Sequence, residues 1–316
     1  MSSPAVVLVF HPDEAEAYAR LIRVPAAHEV AVRVCATEAE AAAVIGEADV
    51  AYAWQLPSVL YAKAPRLRWL QVMGAGVDWA LVPDLPSRVT VTRAPGIFGP
   101  WMSEYVLGWC SWVTQRMETY RAAQREQRWR SDVLPGRLRG KTMTLVGVGD
   151  IGREIARVAR AVGMHVIGVS RSGERVPAVE RVYRPGHLPR ALAAADFVVV
   201  VVPLTAKTRG LIGDEALAAM RPGAWLLSIG RGAVIDEAAL LSALQAQRLA
   251  GAILDVFSTE PLPADHPLWR LDNVVITPHV AGPSTSDEIA PVFNDNLARY
   301  LRGRPLQHVV DRARGY

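Results

Sequence analysis

The sequence has few cysteines and no long apolar stretch. Cys35 and Cys110 are its only cysteines, too few for a disulfide framework, and we expect two buried thiols in a reducing, cytoplasmic setting. No run of about 18 uncharged apolar residues is present, so no membrane-spanning helix is expected. The apolar run 5–10 lacks a preceding basic region and predicts a first β-strand rather than a signal peptide. No His and Cys cluster indicates a metal site.

The charge balance is mildly basic, with a net charge of +4 and a sequence pI of about 9.3. The densest basic segment, 121–141, is interrupted by Glu126 and Asp132, and no nucleic-acid-binding motif accompanies it. We therefore expect no nucleic-acid partner. A small anionic substrate suits this charge better.

The 316 residues are enough for two domains at roughly 150 residues each. Apolar runs at 5–10, 30–34, 50–54 and 69–72 predict strands, and segments such as 38–45 have helical spacing between them. Later runs, including "DFVVVVVP" and "AWLLSIG", are continuous, as in strands covered on both faces. The predicted fold class is α/β: two Rossmann-like or flavodoxin-like parallel-sheet domains with an active-site cleft between them. Gly- and Pro-rich crossings at 94–100 and 279–284 divide the chain into a substrate domain, 1–98 plus 285–316, and a dinucleotide-binding domain, 99–284. An amphipathic helix over 285–301, ended by Gly303, completes the first domain.

The stretch "GVGDIG", 147–152, follows a predicted strand, opens a predicted helix over 153–162 and precedes a strand at 166–169. This is the context that the dinucleotide-binding fingerprint requires. Gly147 permits the tight turn, Gly149 the approach of a pyrophosphate, and Gly152 close packing of the helix. Cofactor contacts are expected from five residues of this turn: Gly147, Gly149, Asp150, Ile151 and Gly152.

The next strand ends in "VSRS", where an NAD site has an acid that accepts hydrogen bonds from the ribose hydroxyls. Ser170 cannot supply that carboxylate, which would also repel a 2′-phosphate. Ser170 and Ser172 can donate to phosphate oxygens, and Arg171 can pair with them or stack on adenine. The loop therefore favours NADP(H). The alternative is that Arg171 is only an exposed loop residue and that NAD(H) is used as well.

Three charged residues follow later predicted strands, at the edge where open α/β sheets bind their ligands. They are Arg231 in "SIGRGAVID", Glu260 in "ILDVFSTEPLP" and His279 in "ITPHVAG". With "GAGVD", "SEYVLGW", "PLWRLDNVVITPHVAG" and the terminal "VDRARGY", these motifs resemble those of the D-isomer-specific 2-hydroxyacid dehydrogenase family over nearly the whole chain. Within that family the chain is most similar to the glyoxylate/hydroxypyruvate reductase A branch.

The resemblance implies a catalytic set of Arg231, Glu260 and His279. His279 would protonate the carbonyl oxygen of a 2-oxo acid as hydride arrives, and Glu260 would orient the imidazole and favour its charged form. Arg231 would hold the substrate by its carboxylate and carbonyl oxygens. Substrate binding is also implied for Trp54, Gly74, Ala75 and Gly76. Further cofactor contacts are implied for Pro203, Leu204, Thr205, Ile229, Gly230, Asp255, His279 and Ala281, with Asp255 on the nicotinamide carboxamide.

The implied activity is NADPH-dependent reduction of glyoxylate to glycolate and of hydroxypyruvate to D-glycerate. Two alternatives stay open: a D-2-hydroxyacid dehydrogenase of broader specificity, and a non-catalytic NAD(P)-sensing protein on the same fold. The formate dehydrogenase branch pairs its histidine with Gln, so Glu260 argues against it.

One region departs from the family pattern. "APGIFGPWMSEYVLG" stands where many members have an Asn-containing motif; Glu104 remains, and we expect it in the first turn of a helix. Trp54 and Trp101 either wall the substrate pocket or belong to the core. The resemblance implies a homodimer formed through helices near 101–121, and the apolar stretch there supports it; Trp129 is a further interface candidate on family grounds.

Overall fold

The computed structural model describes residues 4–316, which fall into two units. Unit 1 comprises residues 4–97 and Ser284–Tyr316, and unit 2 comprises Phe98–Pro283. Each unit is built on one parallel sheet with helices, so the predicted α/β class is confirmed.

The sheet of unit 1 has five strands in the order β2-β1-β3-β4-β5, which is the flavodoxin-like order. Its strands are β1 Ala5–Phe10, β2 Val30–Cys35, β3 Val50–Ala53, β4 Trp69–Val72 and β5 Thr90–Thr92. Val7, Leu8 and Val9 are all fully buried, because both faces of the sheet are covered. The strand order reverses between β1 and β3, which places a topological switch point at the carboxyl ends of these two strands.

The helices of unit 1 are α1 Ala15–Arg20, α2 Glu38–Val44 and α9 Ser286–Leu301. A capping box between Thr37 and Glu40 begins α2. The apolar stripe of α9 packs on the sheet: Phe293 stacks on Tyr52 at 4.0 Å between ring centroids and on Trp69 at 5.2 Å. The returning segment of the chain therefore completes the core of unit 1.

The sheet of unit 2 has seven strands in the order β12-β11-β10-β9-β6-β7-β8. They are β6 Thr142–Val146, β7 His165–Val169, β8 Arg181–Tyr183, β9 Phe197–Val200, β10 Trp225–Ser228, β11 Gly251–Leu254 and β12 Val274–Ile276. β6 pairs with β7 on one side and β9 on the other, so the switch point of this Rossmann-type sheet lies at the end of β6.

The helices of unit 2 are α3 Phe98–Thr114, α4 Met117–Arg125, α5 Asp150–Ala161, α6 Leu188–Leu192, α7 Asp214–Ala219 and α8 Glu237–Gln245. The expectation for Glu104 is wrong: α3 begins at Phe98, so Glu104 lies in its second turn. α5 begins at Asp150, three residues before the predicted start, because the last half of the glycine motif already belongs to the helix.

Cys35 and Cys110 are free and buried, as expected. Across residues 4–316, no helix is long and apolar enough to cross a membrane. The same part of the chain contains no group of three or more His, Cys, Asp or Glu side chains placed to hold a metal ion.

Candidate active site

The turn between β6 and α5 combines close packing with one open position. A Cβ on Gly152 would lie 2.1 Å from the carbonyl oxygen of Gly147, which itself has φ +110°. A Cβ on Gly149 would meet nothing within 4 Å. Gly149 is the N-cap of α5 and has no side chain to satisfy the first-turn N–H groups. The space beside Gly149 and the start of the helix therefore fit an anion such as a pyrophosphate.

The loop after β7 presents hydroxyl groups and a cation. The Oγ of Ser170 accepts the N–H of Gly173 at 3.1 Å, and the Oγ of Ser172 accepts the N–H of Glu174 at 3.3 Å. Each hydroxyl keeps its hydrogen to donate to an anion. Arg171, between them, is exposed. The groups that favour a 2′-phosphate in the sequence thus lie together at one strand end.

The loops after β9 and β10 lie against each other. Thr208 Oγ1 accepts the N–H of Thr205 at 2.8 Å and donates to the carbonyl oxygen of Pro203 at 2.6 Å, which closes a tight turn around Leu204. A Cβ on Gly230 would lie 2.9 Å from the Val202 carbonyl oxygen. Close packing therefore holds the predicted cofactor-binding residues after β9 beside Gly230.

The carboxyl ends of β10, β11 and β12 are level. Ser228 pairs with Leu254, and Leu254 pairs with Ile276. Arg231 comes three residues after Ser228, and His279 three residues after Ile276. The predicted Arg231 and His279 therefore follow strands of the same sheet at the same edge.

Arg231 is fixed at the start of its loop. Its Nη1 donates to the carbonyl oxygen of Gly230 at 2.9 Å. A Cβ on Gly232, the next residue, would lie 1.9 Å from the carbonyl carbon of Phe257. Because only glycine fits there, the backbone beside Arg231 packs directly on the loop that leads to Glu260.

His279 and Glu260 form the predicted pair. His279 Nδ1 lies 2.7 Å from Glu260 Oε2, and Glu260 Oε1 accepts the N–H of Phe257 at 2.9 Å. An ionised carboxylate only accepts hydrogen bonds, so Nδ1 carries the proton and Nε2 is the ring nitrogen left for a ligand. The two side chains are 43% and 36% exposed, which leaves them accessible to a small molecule.

A buried hydrogen-bond network holds the segment that carries His279. The Asp255 carboxylate, 1% exposed, accepts the Thr277 hydroxyl at 2.6 Å and the N–H groups of Val280 and Ala281 at 2.9 Å each. Because the Thr277 hydroxyl donates its hydrogen to Asp255, its Oγ1 acts as the acceptor for the Tyr105 hydroxyl at 2.6 Å. Burial raises the pKa of Tyr105 to about 12, which keeps it a donor. The network surrounds His279, whose φ is +56°.

Unit 1 carries the other predicted substrate-binding residues after β3 and β4. Trp54 follows β3 directly, is half-buried, and its ring lies against Gly74, where a Cβ would be 3.0 Å from the indole. Ala75 and Gly76 are half-buried beside the buried Val77. Trp101, in unit 2, is 42% exposed, so it is not a core residue.

Sequence reasoning missed Tyr105, Thr277 and His11. Thr277 is a polar residue two positions before His279, a signal that could have been read. Tyr105 gives no such signal, because its partner is 172 residues away. His11 follows β1 at the switch point of unit 1, 5.9 Å from the Trp54 ring, and burial lowers its pKa.

These sites and the fold define a two-unit α/β oxidoreductase with a nicotinamide-nucleotide site. The family model for the NAD-binding domain of D-isomer-specific 2-hydroxyacid dehydrogenases matches residues 108–281. The chain belongs to this family, as the sequence predicts, and it is an NAD(P)-dependent oxidoreductase.

The chain is similar in sequence and in structure to individual members of this family. The chain is 34% identical, over 85% of its length and 88% of the relative, to glyoxylate/hydroxypyruvate reductase A of Salmonella typhimurium. A 2-hydroxyacid dehydrogenase family protein of Aeromonas salmonicida is similar at 36% identity and a TM-score of 0.90, covering 98% of this chain and all of that one. The NADPH-dependent glyoxylate/hydroxypyruvate reductase of Sinorhizobium meliloti, solved with NADP and sulfate, is similar at 33% identity and a TM-score of 0.88 over the full length of both chains.

Proposed function

We propose that this protein reduces small 2-oxo acids with NADPH, converting glyoxylate to glycolate and hydroxypyruvate to D-glycerate. The observation that carries the proposal is the 2.7 Å contact between His279 and Glu260, at the same sheet edge as Arg231. The substrate class rests on the reductases from Salmonella and Sinorhizobium to which the chain is similar.

Three side chains divide the work on the substrate. His279, held through Nδ1 by Glu260, donates the proton on Nε2 to the carbonyl oxygen. Arg231 binds the carboxylate of the 2-oxo acid and polarises its carbonyl group, a task that suits a planar guanidinium. The N–H groups of the Gly74–Gly76 loop bind the same carboxylate, since glycines let the backbone approach an anion closely. The product is a 2-hydroxy acid in which carbon has gained a hydride and oxygen a proton.

The cofactor site fits a reduced nicotinamide dinucleotide, which supplies the hydride when bound. The open position at Gly149 and the start of α5 would hold the pyrophosphate. Ser170, Arg171 and Ser172 would hold a 2′-phosphate, so NADP(H) is preferred and NAD(H) is the weaker cofactor. Asp255 has one acceptor position left after its three hydrogen bonds, and this position is the one assigned to the nicotinamide carboxamide.

The partners in this proposal are the 2-oxo acid and a second copy of the chain. α3 presents Trp101 at 42% exposure and the half-buried Trp109 and Trp112, whose rings meet edge to face, a surface that suits a homodimer. Trp129, 93% exposed, is a second candidate for that interface. The two free thiols agree with a cytoplasmic location.

Steady-state oxidation of NADPH and NADH by the purified protein tests the proposal. Glyoxylate, hydroxypyruvate, pyruvate and a bulkier 2-oxo acid are each offered with each cofactor. We expect the highest kcat/KM for NADPH with glyoxylate or hydroxypyruvate. Equal rates with all four acids would instead favour a dehydrogenase of broad specificity. Binding of NADPH without turnover of any acid would favour a cofactor sensor.

A further inference from the structure

Arg184 lies beside the cofactor-binding loop although it is distant in sequence. Val169, the last residue of β7, pairs with Tyr183, the last residue of β8. The N–H of Ser170 donates to the carbonyl oxygen of Tyr183 at 3.0 Å. This register fastens the start of the loop to β8 and puts Arg184 next to it at the same sheet edge.

The Arg184 side chain is held against the loop by two contacts. Its Nε donates to the carbonyl oxygen of Ser172 at 3.1 Å. Its aliphatic stem covers Gly173, which has φ +68° and where a Cβ would lie 2.8 Å from the Arg184 Cγ. A larger residue than glycine at this position would push the arginine away.

These contacts leave the terminal nitrogens of Arg184 available. Within residues 4–316, Nη1 and Nη2 of Arg184 have no hydrogen-bond or ion-pair partner, and the side chain is exposed. Beside them, the Ser170 and Ser172 hydroxyls keep hydrogens to donate. In segment 170–175, Arg171 and Arg175 outnumber the single acid Glu174. A dianion is the ligand that this set of donors and cations fits.

We propose that Arg184 is a specificity-determining residue that binds the 2′-phosphate of NADP(H) together with the loop after β7. The inference rests on the proposed NADPH preference and deepens it. The Nε bond fixes the guanidinium plane before ligand arrives, so both terminal nitrogens reach a phosphate at little entropic cost.

The test compares Arg184→Ala with Arg184→Lys and with the control Arg181→Ala. Arg181 is an exposed arginine at the start of β8, three residues before Arg184, and its guanidinium lies over the Tyr183 ring at 4.8 Å. The control therefore removes an equal charge close by without touching the loop. Binding of adenosine 2′,5′-bisphosphate and of 5′-AMP is measured by calorimetry for each protein, and NADPH and NADH kinetics are measured in parallel.

We expect Arg184→Ala to raise the Kd of the bisphosphate by about 10-fold or more, the effect of losing one charge-assisted pair. Binding of 5′-AMP and the KM for NADH should stay unchanged. Arg184→Lys should recover only part of the loss, because lysine keeps the charge without the fork. Arg181→Ala should behave like the wild type.

Three results would overturn the role of Arg184, and a fourth would refute the NADPH preference of the proposed function. Unchanged bisphosphate binding in Arg184→Ala would leave the NADPH preference standing and remove Arg184 from the site. Equal losses for 5′-AMP and the bisphosphate would mean that Arg184 only supports the loop. An equal loss in Arg181→Ala would mean that general charge is responsible. A wild-type protein that binds both nucleotides equally would refute the NADPH preference itself.

Discussion

The substitution Glu260→Gln perturbs the His279 pair with little change of shape. Glu260 uses both carboxylate oxygens, one for the Phe257 N–H at 2.9 Å and one for His279 Nδ1 at 2.7 Å. Glutamine has one acceptor oxygen and one donor NH₂ group. If its oxygen keeps the Phe257 contact, its NH₂ group faces Nδ1, which must then accept a hydrogen bond. The doubly protonated imidazole, which donates from Nε2, then has no acceptor for the proton on Nδ1.

The expected loss can be worked out from the kind of bond removed. A hydrogen bond to a charged group contributes about 1.5–3 kcal/mol, which corresponds to a fall in kcat/KM of about 10- to 150-fold. The free energy of unfolding should change far less. The two side chains are 43% and 36% exposed, so solvent screens the pair and its share of the free energy of unfolding is below about 1 kcal/mol.

The assay is steady-state reduction of hydroxypyruvate, together with thermal unfolding. Glu237→Gln is the matched control: Oε1 of Glu237, on α8, accepts the N–H of Ser258 at 2.7 Å and so holds the loop that carries Glu260, whereas the hydrogen-bond partner of His279 is Glu260. An equal deficit in both variants would mean that loop order, and not the pairing with His279, limits the rate. Full activity in Glu260→Gln would show that the Glu260 carboxylate does not assist His279.

Three further predictions concern the network, the glycine turn and the buried phenols. Tyr105→Phe removes the donor to Thr277. It should lower the free energy of unfolding by about 0.5–1.5 kcal/mol in chemical denaturation and reduce kcat more than it changes KM. An unchanged kcat would show that the network does not position His279. Gly152→Ala should destabilise the fold by about 1–3 kcal/mol, since its Cβ would lie 2.1 Å from a backbone oxygen. Gly149→Ala should instead unfold like the wild type but bind NADPH more weakly. A destabilised Gly149→Ala beside a stable Gly152→Ala would contradict the assigned roles. Burial raises the pKa of Tyr52, so the folded state holds this proton more tightly than the unfolded chain, and stability should fall as pH rises above about 10. Phenolate absorbance of all eight tyrosines with intact circular dichroism would disprove that burial.

Local patterns of sequence were enough to predict much of the fold and the sheet edge that carries His279 and Glu260, whereas their pairing was implied by the family resemblance. Continuous apolar runs predict strands such as β1 and β9 because both faces of each sheet are covered. The fingerprint at 147–152 predicts its strand, turn and helix because glycine is required there for steric reasons. His279 and Glu260 follow adjacent parallel strands, whose ends meet at one edge.

Short edge strands and long-range contacts could not be predicted from local sequence patterns. β5 and β8 have three residues each, and β8, "RVY", has too little apolar length to be recognised. Arg184 comes to the cofactor loop only through the register of β8 on β7, which no local pattern contains. The contact of Tyr105 with Thr277 likewise depends on tertiary packing.

Following the hydride itself shows whether this protein reduces a 2-oxo acid with NADPH. The purified protein is incubated with hydroxypyruvate and NADPH that carries deuterium at the reactive carbon of the nicotinamide. We expect D-glycerate with deuterium at C2, formed in proportion to the NADPH oxidised, and a large loss of this product in Arg231→Lys. Tight binding of NADPH with no labelled glycerate, from the wild-type protein, would contradict it.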